Sequence, residues 1–167
     1  MKVLYAPWRE NYTTTSARSP KGADNKSEDE CVFCEQLKDD KDTEHFILGR
    51  FKHSYVVLNR YPYSGGHLLI LPLDHKAKLT DLSSEARTEI MGLITQSTSA
   101  LEKELDAKGI NVGLNQGKAA GAGLPSHLHF HVVPRWLGDT NFMPIIGQTK
   151  IVSTNLKDIF TKLKPYF

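Results

Sequence analysis

The stretch His127-Leu128-His129-Phe130-His131-Val132-Val133-Pro134 alternates three histidines with apolar residues and ends on a proline. Strict alternation is the period of a β-strand, and it puts His127, His129 and His131 on one face and Leu128, Phe130 and Val132 on the other. The apolar face has a core to pack on. On the opposite face threonine or lysine would serve as well, so three imidazoles in a row mark a candidate site, against the plainer reading of a histidine-rich exposed face. A single metal shared by all three does not fit. Over four residues at about 3.3 Å each the outer two stand about 13 Å apart, while a metal takes nitrogen ligands at about 2.1 Å. One ion reaches two neighbours, not three.

Upstream lie Leu58-Asn59-Arg60-Tyr61-Pro62-Tyr63 and Gly66-His67-Leu68-Leu69-Ile70-Leu71-Pro72, then Asn111-Val112-Gly113-Leu114-Asn115-Gln116-Gly117, and after the triple histidine comes Pro134-Arg135-Trp136-Leu137-Gly138-Asp139-Thr140-Asn141-Phe142. Together these segments resemble the histidine-triad superfamily of nucleotide hydrolases and transferases, whose signature is His-φ-His-φ-His-φ-φ. The resemblance extends to a strand carrying a ribose-binding asparagine (Asn59), a strand opening with Gly-His, and a glycine loop. The segment after Pro134 and the opening Ala6-Pro7-Trp8-Arg9 are similar to a bacterial branch that includes diadenosine tetraphosphate phosphorylases. Several ordered motifs spread over most of Cys31 to Ile146 are more specific than any one of them.

The residue types suit that chemistry. Breaking a P-O-P linkage calls for a nucleophile that is weakly hydrated at neutral pH, and neutral imidazole, with a reference pKa near 6.5, meets the need without a metal. A phosphorylated imidazole is also a good leaving group, so a second acceptor can take the nucleotidyl group. The resemblance implies His129 as nucleophile on the α-phosphorus, with His131, His127 and His67 completing the catalytic set. His131 and His67 would fix the tautomer and donate to phosphate oxygens. Alone, His67 reads as a strand-end histidine bonded in the core, and Gly66 before it favours the site.

Between Gln116 and His127 runs Gly117-Lys118-Ala119-Ala120-Gly121-Ala122-Gly123-Leu124-Pro125-Ser126. Glycines let backbone N-H groups approach an anion closely, so Gly121 and Gly123 are candidate phosphate contacts, with Lys118 adding charge. Many relatives carry Gly-Gln-Ser/Thr here where this chain has Gly121-Ala122-Gly123, and Ser126 is the candidate replacement for their polar side chain. Asn115 resembles the position whose amide contacts the nucleotide. Leu58 and Leu69 are candidate walls of the base pocket.

The two cysteines form Cys31-Val32-Phe33-Cys34. Such a pair is half of a structural zinc site, a redox pair or a local disulfide. The polar tract before Cys31 does not suit a thioredoxin-like redox motif, and zinc is favoured if two more ligands exist. The resemblance implies them, as His75 and His127. A closed set of four would be structural, and would staple the N-terminal segment to the catalytic strand. The other reading of His75 is an exposed loop residue.

At 167 residues the chain is large enough for a core without disulfides. Twenty-one Lys and Arg against nineteen Asp and Glu give no support for a nucleic-acid-coating surface. The opening residues are too short an apolar run for a secretory signal and no stretch approaches a membrane span, so a cytoplasmic location is expected, with reduced cysteines. Residues 1–10 read as an arm, 11–30 as a polar connector and 31–167 as the folded domain. Strands are expected at Phe46 to Leu48, Tyr55 to Asn59, His67 to Leu71, Ile110 to Leu114 and His127 to Val133. A long helix is expected from the capping run Asp81 to Glu85 to about Leu105, with Ile90, Leu93, Ile94, Leu101 and Leu105 inward, and a final helix after Asn155. That is an α+β fold: a five-stranded antiparallel sheet with one long helix between strands three and four and a C-terminal helix. The resemblance adds a homodimer.

Three function classes follow. The first is a nucleotidyl hydrolase or transferase acting on dinucleoside polyphosphates or related adenylates, with phosphate or water as acceptor. The second is a nucleotide-binding module without turnover, and the third a metalloenzyme using the histidine row.

Overall fold

The computed structural model describes residues 31–140, 142, 146–147 and 154–167. The expected arm and connector lie outside them. Two short helices, α1 (Val32–Glu35) and α2 (Asp42–His45), lead into β1 (Ile47–Arg50), β2 (Ser54–Leu58) and β3 (Leu68–Pro72). The long helix α3 (Ser84–Leu105), β4 (Gly109–Leu114), β5 (Phe130–Arg135) and α4 (Leu156–Leu163) follow. The sheet order is β1-β2-β3-β5-β4 with every pair antiparallel, as the α+β reading expects. Among the described residues no helix is long and apolar enough to cross a membrane.

Helix α3 starts where its cap dictates. Ser83 is extended and its hydroxyl accepts from the Ala86 N-H, satisfying one of the otherwise orphaned first-turn donors. Ile90, Leu93, Ile94 and Leu101 are buried as expected, joined by Ala86 and Ala100, and Leu105 packs against them while half-exposed. Asn155 caps α4 through the Lys157 N-H and turns Ile159, Phe160 and Leu163 inward. These two helices cover one sheet face, against Val56, Leu58, Leu68, Ile70, Leu128 and Val132. The other face carries Ile47, Tyr55, Val57, Leu69 and Leu71 under Phe33 of α1.

All five strands have bounds shifted from the expected ones by one to three residues, and two of these corrections have a visible physical cause. Phe46 is the left-handed residue (φ 60°) that ends α2, so β1 begins one residue later. The second correction concerns the histidine run: β5 begins at Phe130, leaving His127 and His129 ahead of the ladder. The reason lies on β3. Leu73 donates its N-H to His53 on the β2 side, so Pro72, one residue earlier, faces β5 and has no N-H to give. Pairing runs Leu68 with Val132, Leu69 with His131 and Ile70 with Phe130, then stops. The Leu128 N-H goes to Lys76 O instead, at 2.7 Å. Facing survives even though pairing does not. Leu128 and Val132 enter the helix-covered core, and His127, His129 and His131 are buried at 0%, 6% and 9% exposure.

Candidate functional site

His67 is fully buried, one residue before β3, with its N-H bonded back to Ser64 O in the turn and its carbonyl accepting from the Asn59 N-H. Its side chain anchors a chain of hydrogen bonds. The Tyr63 backbone N-H donates to His67 Nδ1 at 3.1 Å, and Asn59 Nδ2 lies 3.2 Å from the same atom. A backbone N-H can only donate, so Nδ1 holds the lone pair and the neutral ring carries its proton on Nε2. That proton points to His131 Nδ1, 2.9 Å away. His131 is then protonated on Nε2, and this buried N-H has no partner among the described residues. Burial, helped by His129 nearby, lowers the His131 pKa to about 4, so the ring is neutral and its Nε2-H is an uncommitted donor.

His129 is fixed in the opposite sense. Its Nδ1 lies 2.9 Å from His127 O. A carbonyl only accepts, so Nδ1 bears the hydrogen and Nε2 the lone pair. Burial holds this ring below the ordinary imidazole range, with the bond to His127 O opposing. The ring centroids of His129 and His131 are 5.0 Å apart. A nucleophilic nitrogen and an uncommitted donor therefore sit on neighbouring buried rings.

His127 faces elsewhere. Its Nε2 donates to Pro72 O at 3.0 Å, which turns the Nδ1 lone pair toward the cysteines. Nδ1 stands 3.4 Å from both Cys31 Sγ and Cys34 Sγ, and His75 Nδ1 stands 3.2 Å from Cys34 Sγ. The four donor atoms lie within 4.8 Å of one another, and the two cysteines are not joined in a disulfide. Ligand bonds of about 2.0–2.3 Å make a zinc tetrahedron with edges of about 3.6 Å, so the donor set has the chemistry and spacing of such a site. Burial lowers His127 to about 4, which keeps it neutral, as ligation requires. The cluster takes only His127 from the histidine row, and all four of its corners are protein donors.

Sequence reasoning left several neighbours unnamed. Phe33, between the cysteines, sets its ring 5.5 Å from His129 and 5.7 Å from His127. Tyr63 stacks on His131 at 5.5 Å and 21°. Val32, Phe33 and Gln36 form one wall of a pocket of about 140 Å³ that β2, β3 and the residues after β2 complete. Leu58, Leu69 and Asn59 line it as well. An apolar residue inside a metal-type Cys-x-x-Cys turn was the available signal for Phe33. On the other side Ser126 is buried with its hydroxyl unpartnered among the described residues, Asn115 is half-buried just beyond β4, and Gly121 and Gly123 are exposed in the loop.

This is a protein whose antiparallel sheet presents a buried histidine relay beside a small apolar pocket, with a metal-type knuckle under both. Residues 40–136 match the HIT domain model, and the chain belongs to the HIT domain family, whose chemistry is nucleotidyl hydrolysis and transfer. An AP-4-A phosphorylase of Mycobacterium tuberculosis is 38% identical over 159 residues, covering 95% of this chain and 80% of the relative. An adenosine 5'-monophosphoramidase of Saccharomyces cerevisiae is 35% identical over 133 residues, covering 80% and 75%. Among solved structures, a zinc-bound histidine triad family protein from Mycobacterium smegmatis superposes with a TM-score of 0.68 at 26% identity, covering 84% of this chain and 94% of the other.

Proposed function

We propose that the protein cleaves dinucleoside polyphosphates of the diadenosine tetraphosphate kind, or related adenylates, through a nucleotidyl intermediate on His129. The observation that carries this reading is the bond from His129 Nδ1 to His127 O, which leaves Nε2 as a lone pair on a buried neutral ring. That lone pair attacks the α-phosphorus. A P-N bond forms, the P-O bond to the rest of the polyphosphate breaks, and the leaving nucleotide departs as an anion. The His131 Nε2-H, held in place by His67, donates to the phosphate oxygen on which charge builds. An acceptor then attacks the same phosphorus and restores the imidazole: phosphate gives ADP, water gives AMP with loss of its proton.

Asn59 and Leu69 belong to the nucleoside side of this site, and Asn115, Ser126, Gly121 and Gly123 to the phosphate side. Cys31, Cys34, His75 and His127 would hold zinc in a structural role, fastening α1 to the segment that bears His129. The 38% identity to an AP-4-A phosphorylase supports phosphate as the acceptor. The reading includes a cytoplasmic location, where the cysteines stay reduced. It also includes a homodimer formed across β4, an edge strand that leaves Val112 49% exposed.

The test is incubation of the purified protein with diadenosine tetraphosphate, with and without inorganic phosphate, beside His129→Ala. ADP plus ATP only with phosphate marks a phosphorylase, and AMP plus ATP regardless of phosphate marks a hydrolase. The variant should lose turnover and keep its fold. Binding of AMP without turnover of any polyphosphate would leave a binding module, and activity retained by His129→Ala would remove it as the nucleophile.

A further inference from the structure

The pocket beside the histidine relay has apolar walls in Val32, Phe33, Val57 and Leu69, and polar side chains whose commitments can be followed one by one. The Asn59 carboxamide is occupied at both ends, its Oδ1 by the Tyr61 N-H at 2.9 Å and its Nδ2 by His67. Arg60 donates to Glu44 O at 2.7 Å and lies over the Phe46 ring. Gln36 is different. It lines the same pocket at only 9% exposure, and its Oε1 is shielded from solvent with no hydrogen-bond partner among the described residues. Its backbone is held, the N-H bonding to Val32 O and the carbonyl accepting from Arg50 Nη2 at 3.5 Å. A carboxamide in an apolar pocket with an unpaired oxygen is costly unless an incoming molecule supplies the missing donor.

A carboxamide presents an acceptor beside a donor, and this pair matches an exocyclic amino group next to an acceptor nitrogen in a ring. Adenine offers that pattern through its 6-amino group and N7. The 6-oxo purines present two adjacent acceptors on the same edge, so one of them or the Gln36 oxygen stays unpaired. We propose that Gln36 reads the base, its carboxamide pairing with the 6-amino edge of adenine and giving the apolar pocket its selectivity for adenine nucleotides. The inference rests on the nucleotidyl reading above and adds the residue that sets its base preference.

The test compares binding of AMP with that of purine ribonucleoside 5'-monophosphate, which lacks only the 6-amino group, by calorimetry on the full-length protein as purified. The wild type should bind AMP about tenfold more tightly, equivalent to about 1.4 kcal/mol at 25 °C. Gln36→Leu, which keeps the volume and removes the polar atoms, should bring the two affinities to within about twofold. Equal affinities in the wild type overturn the proposal without any variant, and so does a tenfold preference that survives in Gln36→Leu. If the wild type binds neither nucleotide, the nucleotidyl reading itself fails and this inference fails with it. AMP bound without discrimination sinks Gln36 alone.

Discussion

Gly66 turns the chain toward β3 with φ +86°, and a Cβ placed on it would stand 2.5 Å from Leu105 Cδ1, 3.2 Å from Leu101 Cδ2 and 3.4 Å from Pro134 Cγ. Gly66→Ala is therefore penalised twice. A left-handed φ costs an L-residue about 1–2 kcal/mol, and overfilling a packed seam adds about 1–3 kcal/mol. Leu105 is half-exposed and can yield, which favours the lower part of the second range, so the loss is about 3 kcal/mol. For a domain of this size each kcal/mol moves the thermal midpoint by about 2–4 °C, so it should fall by about 10 °C. The assay is thermal denaturation followed by circular dichroism, with Gly92→Ala as partner. Gly92 lies within α3, has no left-handed φ, and a Cβ there meets nothing within 4 Å. Alanine in that helix interior gains up to about 1 kcal/mol, so its midpoint should rise by about 3 °C. The same chemical change should thus act with opposite signs at two positions. A Gly66→Ala protein melting within about 2 °C of the wild type would refute the reasoning.

Two further perturbations separate the roles of the histidines. Removing metal with a chelator should lower the thermal midpoint by about 10 °C or more, since structural zinc contributes at least several kcal/mol. Because α1 lines the pocket, chelation at temperatures where the sheet persists should raise the nucleotide KM and spare kcat; a kcat that collapses with the fold intact and returns with metal would assign a catalytic ion. His131, lowered by burial and by His129 to about 4 from 6.5, should be neutral in the fold where the unfolded chain already binds a proton. Its contribution to stability is then complete above pH 6.5 and is lost as pH falls toward 4, by on the order of 3 kcal/mol. Ring-proton NMR should place its midpoint near 4, and a midpoint near 6.5 would contradict the buried relay.

What could be read from the sequence follows the range over which each feature is determined. The facing of Leu128, Phe130 and Val132 against the histidines is local, set by the two-residue period, and it holds. The caps of α3 and α4 are equally local, and Ser83 and Asn155 stand where their residue types place them. The end of the β3–β5 ladder is not local. It depends on which way Pro72 faces, and that is set by pairing with β2. Tyr63 and Gln36 matter only because chain segments far apart in sequence bring them to the histidines or the pocket, and no spacing rule marks such residues; Phe33 alone carries a local signal, its place inside the Cys-x-x-Cys turn. Asn59 shows the converse: its motif position was legible, but not that both ends of its amide are occupied within the protein.

Three histidines two residues apart on one face would be near-equivalent if the strand alone set their environment. What distinguishes them is the atom that each Nδ1 meets. For His127 it is a pair of cysteine sulfurs, for His129 a backbone carbonyl, and for His131 the protonated nitrogen of another imidazole. The first arrangement calls for a lone pair on Nδ1, the second for a proton, and the third for a lone pair again, so the free Nε2 atoms of His129 and His131 are an acceptor and a donor. The carbonyl that fixes His129 belongs to His127, and the carbonyl that fixes His127 belongs to Pro72, the residue that ends the ladder. Losing the N-H at position 72 releases His127 and His129 from sheet pairing, and the same residue's oxygen then orients the side chain facing the cysteines. The metal-type knuckle and the proposed nucleophile are thus coupled through a single backbone carbonyl. Disturbing His127 should reach His129 through its tautomer before it reaches it through the fold.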